Sequence, residues 1–190
     1  MKPHLGLLLG TTVCLLLTSC EVISEHPLSS PKTARPDPKL VGRWHEKGVT
    51  DETLEFTMKD AHWMHLEDRK KNRPTESYDL FVTVIDGNHF LNARHIDKTD
   101  PSGATKSDYF IVRYEVTDHV LSTWWMDEDK VEAAIQSGRL KGIVDEDKKD
   151  NRPHPDVDVT LQDTGENLVK FIRHTSTEAL FSDKNSELYR

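Results

Sequence analysis

The chain has 190 residues, of which 35% are hydrophobic and 31% are charged, and its formal net charge is −8 at pH 7. This length allows one domain with extensions, and the short periodic runs of apolar residues predict a modest folded core. The negative charge argues against a nucleic-acid partner and against long-range attraction to anionic lipid. Both cysteines, Cys14 and Cys20, lie near the amino terminus. A domain that follows them therefore holds no disulfide and no thiolate metal site.

Residues 1–19 have the arrangement of a secretory signal peptide. Lys2 precedes the apolar run LGLLLGTTVCLLL, which is too short to cross a bilayer because a spanning helix needs about 20 apolar residues. The tetrapeptide Leu17-Thr18-Ser19-Cys20 resembles the lipobox of bacterial lipoproteins. That resemblance implies cleavage between Ser19 and Cys20, a diacylglycerol on the Cys20 thiol and an acyl group such as palmitate on its amine. Several acyl chains together anchor a protein stably to a membrane. The alternative is an ordinary secreted protein with a cysteine at the cleavage site by chance.

Such an anchor would hold the protein in the bacterial cell envelope, facing the periplasm. By resemblance to enterobacterial sorting, Glu21 in place of aspartate after the cysteine favours the outer membrane. Residues 20–38 contain four prolines and several serines without apolar periodicity, a composition typical of a flexible tether. At about 3.1 Å per residue, such a tether would hold a domain about 50 Å from the membrane. We therefore predict a single β-rich domain over residues 39–190.

Strand patterns dominate the first two thirds of this domain. Leu54, Phe56 and Met58 alternate with polar residues, which is the period of a half-buried strand. Asp86-Gly87 and Thr117-Asp118 have the composition of tight hairpin turns, so the strands that flank them should be antiparallel. The predicted strands are 40–45, 54–58, 61–66, 78–85, 89–96, 109–116 and 120–126, with a later strand at 157–161.

Two helices are predicted after the seventh strand. Asp127 can cap the first helix, and Gly138 can end it. The second helix is predicted to start near Asp163, with Glu166 in capping-box spacing. The acidic run at 145–150 lacks the glycine and the final glutamate of an EF-hand loop, so it is interpreted as a solvated loop.

Strands with apolar residues on both faces favour a mainly β fold in which an antiparallel meander closes into a small barrel, with two helices packed outside. Gly42-Arg43-Trp44 resembles the Gly-x-Trp signature of the lipocalins, and Ser107-Asp108-Tyr109 is similar to their Thr-Asp-Tyr motif. The resemblance implies an eight-stranded lipocalin-like barrel that the tryptophan closes at one end, a small apolar ligand inside it, and a late arginine, for which Arg173 is a candidate. Another small antiparallel barrel or a sandwich is the alternative.

The chain carries no nucleophile elbow, phosphate loop, zinc-protease helix or dinucleotide fingerprint, so we expect neither an enzyme nor a cofactor. We also expect no metal site. His62 and His65 should face opposite sides of one strand, and His89 and His95 should lie about 20 Å apart along another.

Aromatic residues on separate predicted strands are the candidates for the lining of a barrel cavity: Trp63, Tyr78, Phe90, Tyr109 and Trp125. If they line a cavity, the barrel binds a small apolar ligand, or else the domain offers a surface to an envelope partner. If they fill the barrel, the protein is a structural or assembly lipoprotein without a pocket. Because Trp124 and Trp125 are adjacent in a strand, one should point into the barrel while the other lies under a helix.

Replacement of Cys20 by alanine tests the lipoprotein hypothesis. The Cys20→Ala precursor has no thiol to accept a diacylglycerol, so we expect loss of labelling by radioactive palmitate and accumulation of the unprocessed chain. Cys14→Ala, which changes only the apolar part of the signal segment, is the matched control and should be processed normally. Normal processing and membrane retention of Cys20→Ala would contradict the hypothesis.

Overall fold

The computed structural model describes residues 22–49, 51–96, 108–146 and 157–190. In these ranges the protein is mainly β, with three helices: α1 (Glu128–Gln136), α2 (Gly165–His174) and α3 (Thr177–Leu180). The strands are β1 (Val22–Ser24), β2 (Gly42–Glu46), β3 (Glu52–Met58), β4 (Met64–Lys70), β5 (Glu76–Ile85), β6 (Asn88–His95), β7 (Tyr109–Val116), β8 (Val120–Trp125), β9 (Gly142–Glu146), β10 (Val157–Leu161) and β11 (Asp183–Tyr189). The predicted signal peptide, Cys20 and Ser107 lie outside the described residues. None of the helices in these ranges is both long enough and apolar enough to cross a membrane.

Eight of the strands form a closed antiparallel barrel. They follow the order β2-β3-β4-β5-β6-β7-β8-β11, and the pairing of Leu188 with Glu46 joins the last strand to the first. The prediction of a mainly β protein that closes into a small lipocalin-like barrel is therefore confirmed. Seven of the eight barrel strands correspond to predicted strands. β11 has no such pattern because its sequence, DKNSELY, contains only Leu188 and Tyr189 as large apolar residues.

The two ends of the barrel differ in what connects the strands. The connections β2–β3, β4–β5 and β6–β7 leave from one end, which we call the mouth. The turns β3–β4, β5–β6 and β7–β8 lie at the other end, which we call the closed end. Asp86 and Gly87 form the β5–β6 turn with φ values of 50° and 84°, as predicted for a hairpin of this composition.

Alternate residues of the barrel strands point inward. In β5, Leu80 and Val82 point into the barrel, whereas Phe81 and Thr83 point outward. The buried side chains inside the barrel form the inner core: Leu40, Trp44, Phe56, Met64, Leu80, Val82, Leu91, Ala93, Val112, Tyr114, Leu121 and Leu188. Their removal from water is the main favourable contribution to barrel folding.

A second apolar cluster lies outside the barrel wall, under the helices. Phe90 of β6 and Ile111 of β7 point outward into it, and Leu168 and Ile172 of α2 cover them from the other side. The outer core consists of Val22, Leu28, Ile85, Phe90, Ile111, Met126, Val131, Ala134, Leu140, Val159, Leu161, Leu168, Ile172, Leu180 and Phe181. The helices therefore pack outside the barrel, as predicted.

Strand β7 connects the barrel to an outer layer of strands within one continuous sheet. Its first residues, Tyr109 and Phe110, pair with Ser24 and Ile23 of β1, whereas its last four residues pair with β8. β1 also pairs in parallel with β10, which in turn pairs with β9. The outer layer is thus joined to the barrel by continuous backbone hydrogen bonding.

The helix starts follow the predicted capping chemistry with one shift. Asp127 caps α1 by accepting a hydrogen bond from the backbone N of Lys130, and Gly138 follows the helix with a φ of 71°. The cap of α2 is Thr164 and not Asp163. Asp163 instead accepts a hydrogen bond of 2.6 Å from the backbone N of Lys141, which ties the start of α2 to the approach to β9.

The segment before the barrel is not a flexible tether from Val22 onward, and in this respect the prediction for residues 20–38 is wrong. We call residues 22–38 the N-terminal arm. Leu28 of the arm is 3% exposed, and its backbone N donates a hydrogen bond of 2.7 Å to Oδ1 of the buried Asn92. The hydroxyl groups of Ser29 and Thr83 lie 2.6 Å apart. The folded domain therefore starts no later than Val22.

The rest of the arm leads to the closed end of the barrel. Ala34 is buried, and its carbonyl oxygen lies 3.0 Å from Nδ1 of His62. Asp37 accepts a hydrogen bond of 3.0 Å from the hydroxyl group of Tyr114. Burial raises the pKa of Tyr114, and the nearby carboxylate raises it further, so this hydroxyl group stays protonated and donates. Isolated contacts of this kind hold the arm in place without a periodic apolar face.

Asn92 is the residue that fastens the arm to the barrel wall, and its replacement tests that role. Its Nδ2 donates to Oγ1 of Thr83 at 2.9 Å, so Asn92→Ala removes partners from two buried polar groups. We expect the free energy of unfolding to fall by about 1–3 kcal/mol, because buried groups without partners keep their desolvation cost. Urea denaturation followed by tryptophan fluorescence measures this change. Asn88→Ala, at the half-buried start of the same strand, should change stability by less than about 0.5 kcal/mol. Equal effects of the two variants would contradict the assigned role.

Candidate functional site

The closed end of the barrel is sealed by Trp44. Its side chain is 0% exposed, and Nε1 donates a hydrogen bond of 2.7 Å to the carbonyl oxygen of Leu40. The guanidinium carbon of Arg190 lies 4.3 Å from the centre of the Trp44 ring, and Nη2 of Arg190 donates to the carbonyl oxygen of Lys39 at 2.6 Å. Cation–π contact and hydrogen bonding together hold the chain end against the entry to β2.

The arginine that covers this tryptophan is not the one that the lipocalin resemblance suggested. Nε of Arg173 lies 3.4 Å from a carboxylate oxygen of Asp86, on the outside of the barrel. Both of these side chains are mostly exposed, so the pair contributes little to stability. Arg190 follows β11, the barrel strand without a strand pattern in its sequence, and therefore no sequence signal placed it beside Trp44.

The mouth half of the barrel interior is lined by side chains that are only half buried. Tyr78 lies 5.3 Å from His95 and 6.3 Å from Phe110, and Phe110 lies 5.9 Å from Trp125, all as ring-centre distances. All three ring pairs are close to perpendicular, the edge-to-face arrangement that aromatic rings favour. Leu54 and Leu66 complete the apolar lining from β3 and β4. We call these six residues the mouth lining.

A mostly buried carboxyl group, that of Asp68, points into the same space. Asp68 shares the inward face of β4 with Leu66, and its side chain is 15% exposed. One of its oxygens lies 3.2 Å from Nζ of Lys70, whereas the other is buried and has no hydrogen-bond partner among the described residues. Burial raises the pKa of Asp68, and Glu76 and Glu52 raise it further, while Lys70 opposes the change. Among the described residues, Asp68 is therefore a mostly buried carboxyl group with unused hydrogen-bonding capacity beside the mouth lining.

The structure separates the five aromatic residues that the sequence grouped as a ligand-binding set. Tyr78 and Trp125 point into the barrel and belong to the mouth lining. Phe90 is buried in the outer core, 5.2 Å from the ring of Phe181. Trp63 and Tyr109 pack on the outer face of the barrel against Phe81, at 5.0 Å and 6.2 Å. Two of the five residues are thus placed to touch a molecule inside the barrel.

Sequence reasoning missed five of the residues at this site: Leu54, Leu66, Asp68, His95 and Phe110. The signal that could have found Phe110 is strand parity, since a residue next to the outward-facing Tyr109 must point inward. Trp124 and Trp125 do follow the predicted rule. Trp125 packs with the inner core, while Trp124 packs with the outer core under the cation of Arg113.

A groove with a largely polar lining on the helical layer is less suited to an apolar ligand. This shallow groove of about 330 Å³ is lined by Arg139, Asp163, Asn167, Lys170, Phe171 and His174. Within the described ranges, no group of three or more His, Cys, Asp or Glu residues is arranged to hold a metal ion. The mouth half of the barrel is therefore the candidate binding site.

Asp68→Asn tests whether the buried negative charge of Asp68 lowers the stability of the fold at neutral pH. Because the folded pKa of Asp68 lies above the ordinary value of 3.8, the folded state binds a proton more tightly than the unfolded state. Stability is therefore lost as the pH rises from 3.8 through the raised pKa, and the cost persists at neutral pH. Asp68→Asn removes that cost, so we expect a higher melting temperature at neutral pH and a flatter pH dependence above 3.8.

Thermal unfolding between about pH 4 and about pH 7 measures the effect of Asp68→Asn. Asp51→Asn is the control because its side chain is 53% exposed at the mouth, where it pairs with Lys71. A lower melting temperature for Asp68→Asn at neutral pH would show that the charge stabilises the fold instead.

Comparison of the chain with known proteins gives no further guide to this site. No protein family model matches the chain, and no curated protein and no solved structure is significantly similar to it. The candidate site therefore rests on the side chains that the barrel brings together.

Proposed function

We propose that this protein is a membrane-anchored envelope lipoprotein whose barrel binds a small apolar molecule at its mouth. The observation that carries the ligand site is the contrast between the two halves of the barrel interior. At the closed end, the side chains of Trp44, Leu40 and Leu121 are fully buried. At the mouth, Tyr78, Phe110 and Trp125 are half buried although they point inward. Aromatic surface left partly in water gains most from a bound apolar molecule.

The polar groups of the recess define which apolar molecules fit best. A ligand that carries a hydroxyl or amine group would donate a hydrogen bond to the oxygen of Asp68 that has no partner among the described residues. A fatty acid would instead bring a carboxylate toward Asp68, Glu52 and Glu76, which share the inward face at this end. We therefore favour a neutral or cationic amphipathic ligand over an anionic one.

The membrane anchor is supported by the sequence, through the apolar run and the Leu17-Thr18-Ser19-Cys20 tetrapeptide. Acylation of Cys20 would hold the protein in the bacterial envelope on the periplasmic side, and Glu21 favours the outer membrane. The formal net charge of −8 gives no electrostatic attraction to anionic lipid, so attachment depends on the acyl chains.

A specific observation also favours the alternative, a structural or assembly lipoprotein without a ligand. The inner core already fills much of the barrel, including two large side chains that are at most 1% exposed, Trp44 and Tyr114. Small barrels are often packed solid in this way. In this alternative the mouth lining is simply the outer margin of the inner core.

Binding of the fluorescent neutral probe N-phenylnaphthylamine distinguishes the two functions. We expect saturable binding in the micromolar range, and a loss of about tenfold in affinity for Trp125→Leu, which corresponds to about 1.4 kcal/mol. Trp124→Leu is the matched control, because this neighbour points to the outer face and should leave probe binding unchanged. A cationic and an anionic derivative of the probe test the expected order of affinity.

Two results would overturn the ligand-binding proposal. One is the absence of saturable binding for all three probes. The other is equal loss of affinity in Trp125→Leu and Trp124→Leu, which would indicate a general effect on folding. A loss of stability of about 3–5 kcal/mol in Trp125→Ala without any probe binding would favour the structural alternative.

A further inference from the structure

Four aromatic side chains of the mouth lining form a continuous arc, which we call the aromatic arc. They point inward from four consecutive barrel strands, β5 to β8, and are half buried: Tyr78, His95, Phe110 and Trp125. Each ring centre lies within 6.3 Å of the centre of another ring of the arc. Aromatic rings carry negative potential over their faces and attract a cation that lies within about 6 Å of the ring centre. The arc therefore offers a surface that suits a positive charge as well as apolar contact.

Three carboxylates lie at the same end of the barrel, on the inward faces of β3, β4 and β5. We call them the acidic rim: Glu52, Asp68 and Glu76. Among the described residues on these three inward faces, Lys70 carries the only positive charge, so the rim keeps an excess of negative charge. Burial raises the pKa of Asp68, and repulsion from Glu76 and Glu52 raises it further. A cation in this space relieves that repulsion.

The aromatic arc and the acidic rim face each other across the barrel interior. In the closed order β2-β3-β4-β5-β6-β7-β8-β11, strands that are four positions apart lie on opposite sides. β3 is therefore opposite β7, and β4 is opposite β8, so Asp68 lies across the interior from the strand that carries Trp125. The interior of an eight-stranded barrel is only wide enough for side chains or one small ligand. A compact cation in the mouth is therefore near both walls at once.

We infer that the mouth selects a compact compound with a methylated ammonium group and no anionic group, held with its positive charge between the aromatic arc and the acidic rim. This inference rests on the function proposed above, because it names the class of ligand for the same site. A quaternary ammonium group has no N–H donor, so it leaves water without a lost hydrogen bond. Its methyl groups contact the rings, and its charge is attracted by the rings and by the carboxylates. A neutral molecule of the same shape gains only the apolar contact.

The test compares three small ligands by isothermal titration calorimetry with the chain from Cys20 to Arg190, which contains every described residue. The first is choline, and the second is neohexanol, its neutral isostere in which a carbon atom replaces the quaternary nitrogen. Because shape and hydroxyl group are the same, only the charge differs, and we expect choline to bind at least about tenfold more tightly. The third is phosphocholine, whose phosphate the acidic rim repels, so we expect it to bind more weakly than choline.

Two variants separate the contributions of the two walls. Asp68→Asn keeps the shape of the side chain and is expected to unfold at a higher temperature, so weaker binding of choline cannot be attributed to loss of folding. We expect its affinity for choline to fall several-fold and its affinity for neohexanol to stay unchanged, with Asp51→Asn as the control. Phe110→Leu keeps apolar contact but removes a ring, so it should weaken choline more than neohexanol. Tyr109→Leu, at the neighbouring outward position, is its control and should leave the preference for choline unchanged.

The results that overturn the inference differ from those that overturn the proposed function. Equal affinity for choline and neohexanol, while N-phenylnaphthylamine binds, would overturn the selection of an ammonium group and leave the proposed function in place. The same holds if phosphocholine binds more tightly than choline, or if the preference for choline is unchanged in both Asp68→Asn and Phe110→Leu. Absence of binding for all of these compounds, including N-phenylnaphthylamine, would overturn both proposals.

Discussion

The indole of Trp44 lies where the approach to the first barrel strand meets Arg190, about 150 residues later in the sequence. Its Nε1 is bonded to Leu40 at the end of the approach to the barrel, its ring is covered by Arg190, and Arg190 in turn binds the carbonyl oxygen of Lys39. These contacts close one end of the barrel with protein atoms and exclude water from that end. Because one end is sealed, the inner core can be packed densely there, and the less buried aromatic side chains are confined to the other end.

A part of this fold can be predicted from the sequence only where its buried apolar residues recur with the period of a strand or a helix. Strands such as β5 and β7 are predictable because apolar residues recur along most of their length. The arm is not, because its buried apolar residues, Val22, Leu28 and Ala34, are six positions apart, a spacing that fits neither a helix nor a strand. Prolines between them stiffen the extended path, but the same composition is typical of linkers. The distinction between a packed arm and a free one depends on partners such as Asn92, which no local pattern reveals.

The candidate site shows a second limit of the same kind. The wall of β5, β6 and β7 is apolar on both faces because it separates two cores, and parity alone does not tell which face is inside. Phe90 and Trp125 are equivalent as sequence features, yet one lies under helices and the other lines the mouth. Burial of a carboxyl group such as Asp68 is equally invisible in sequence, since its neighbours in β4 include both apolar and charged residues. What the sequence does predict is the set of strands from which such a site has to be built.

The partners of the earliest described strand come from the latest parts of the chain, and this arrangement bears on how the protein acquires its structure. β1 pairs with residues near positions 110 and 160, and the seal on Trp44 requires Arg190. Contacts of such large sequence separation carry a high entropic cost of loop closure and slow folding. When the chain becomes available from its amino terminus onward, the N-terminal arm therefore cannot dock and the barrel cannot close until the last strand is present. Until then, the incomplete chain would expose both the inner and the outer core to water.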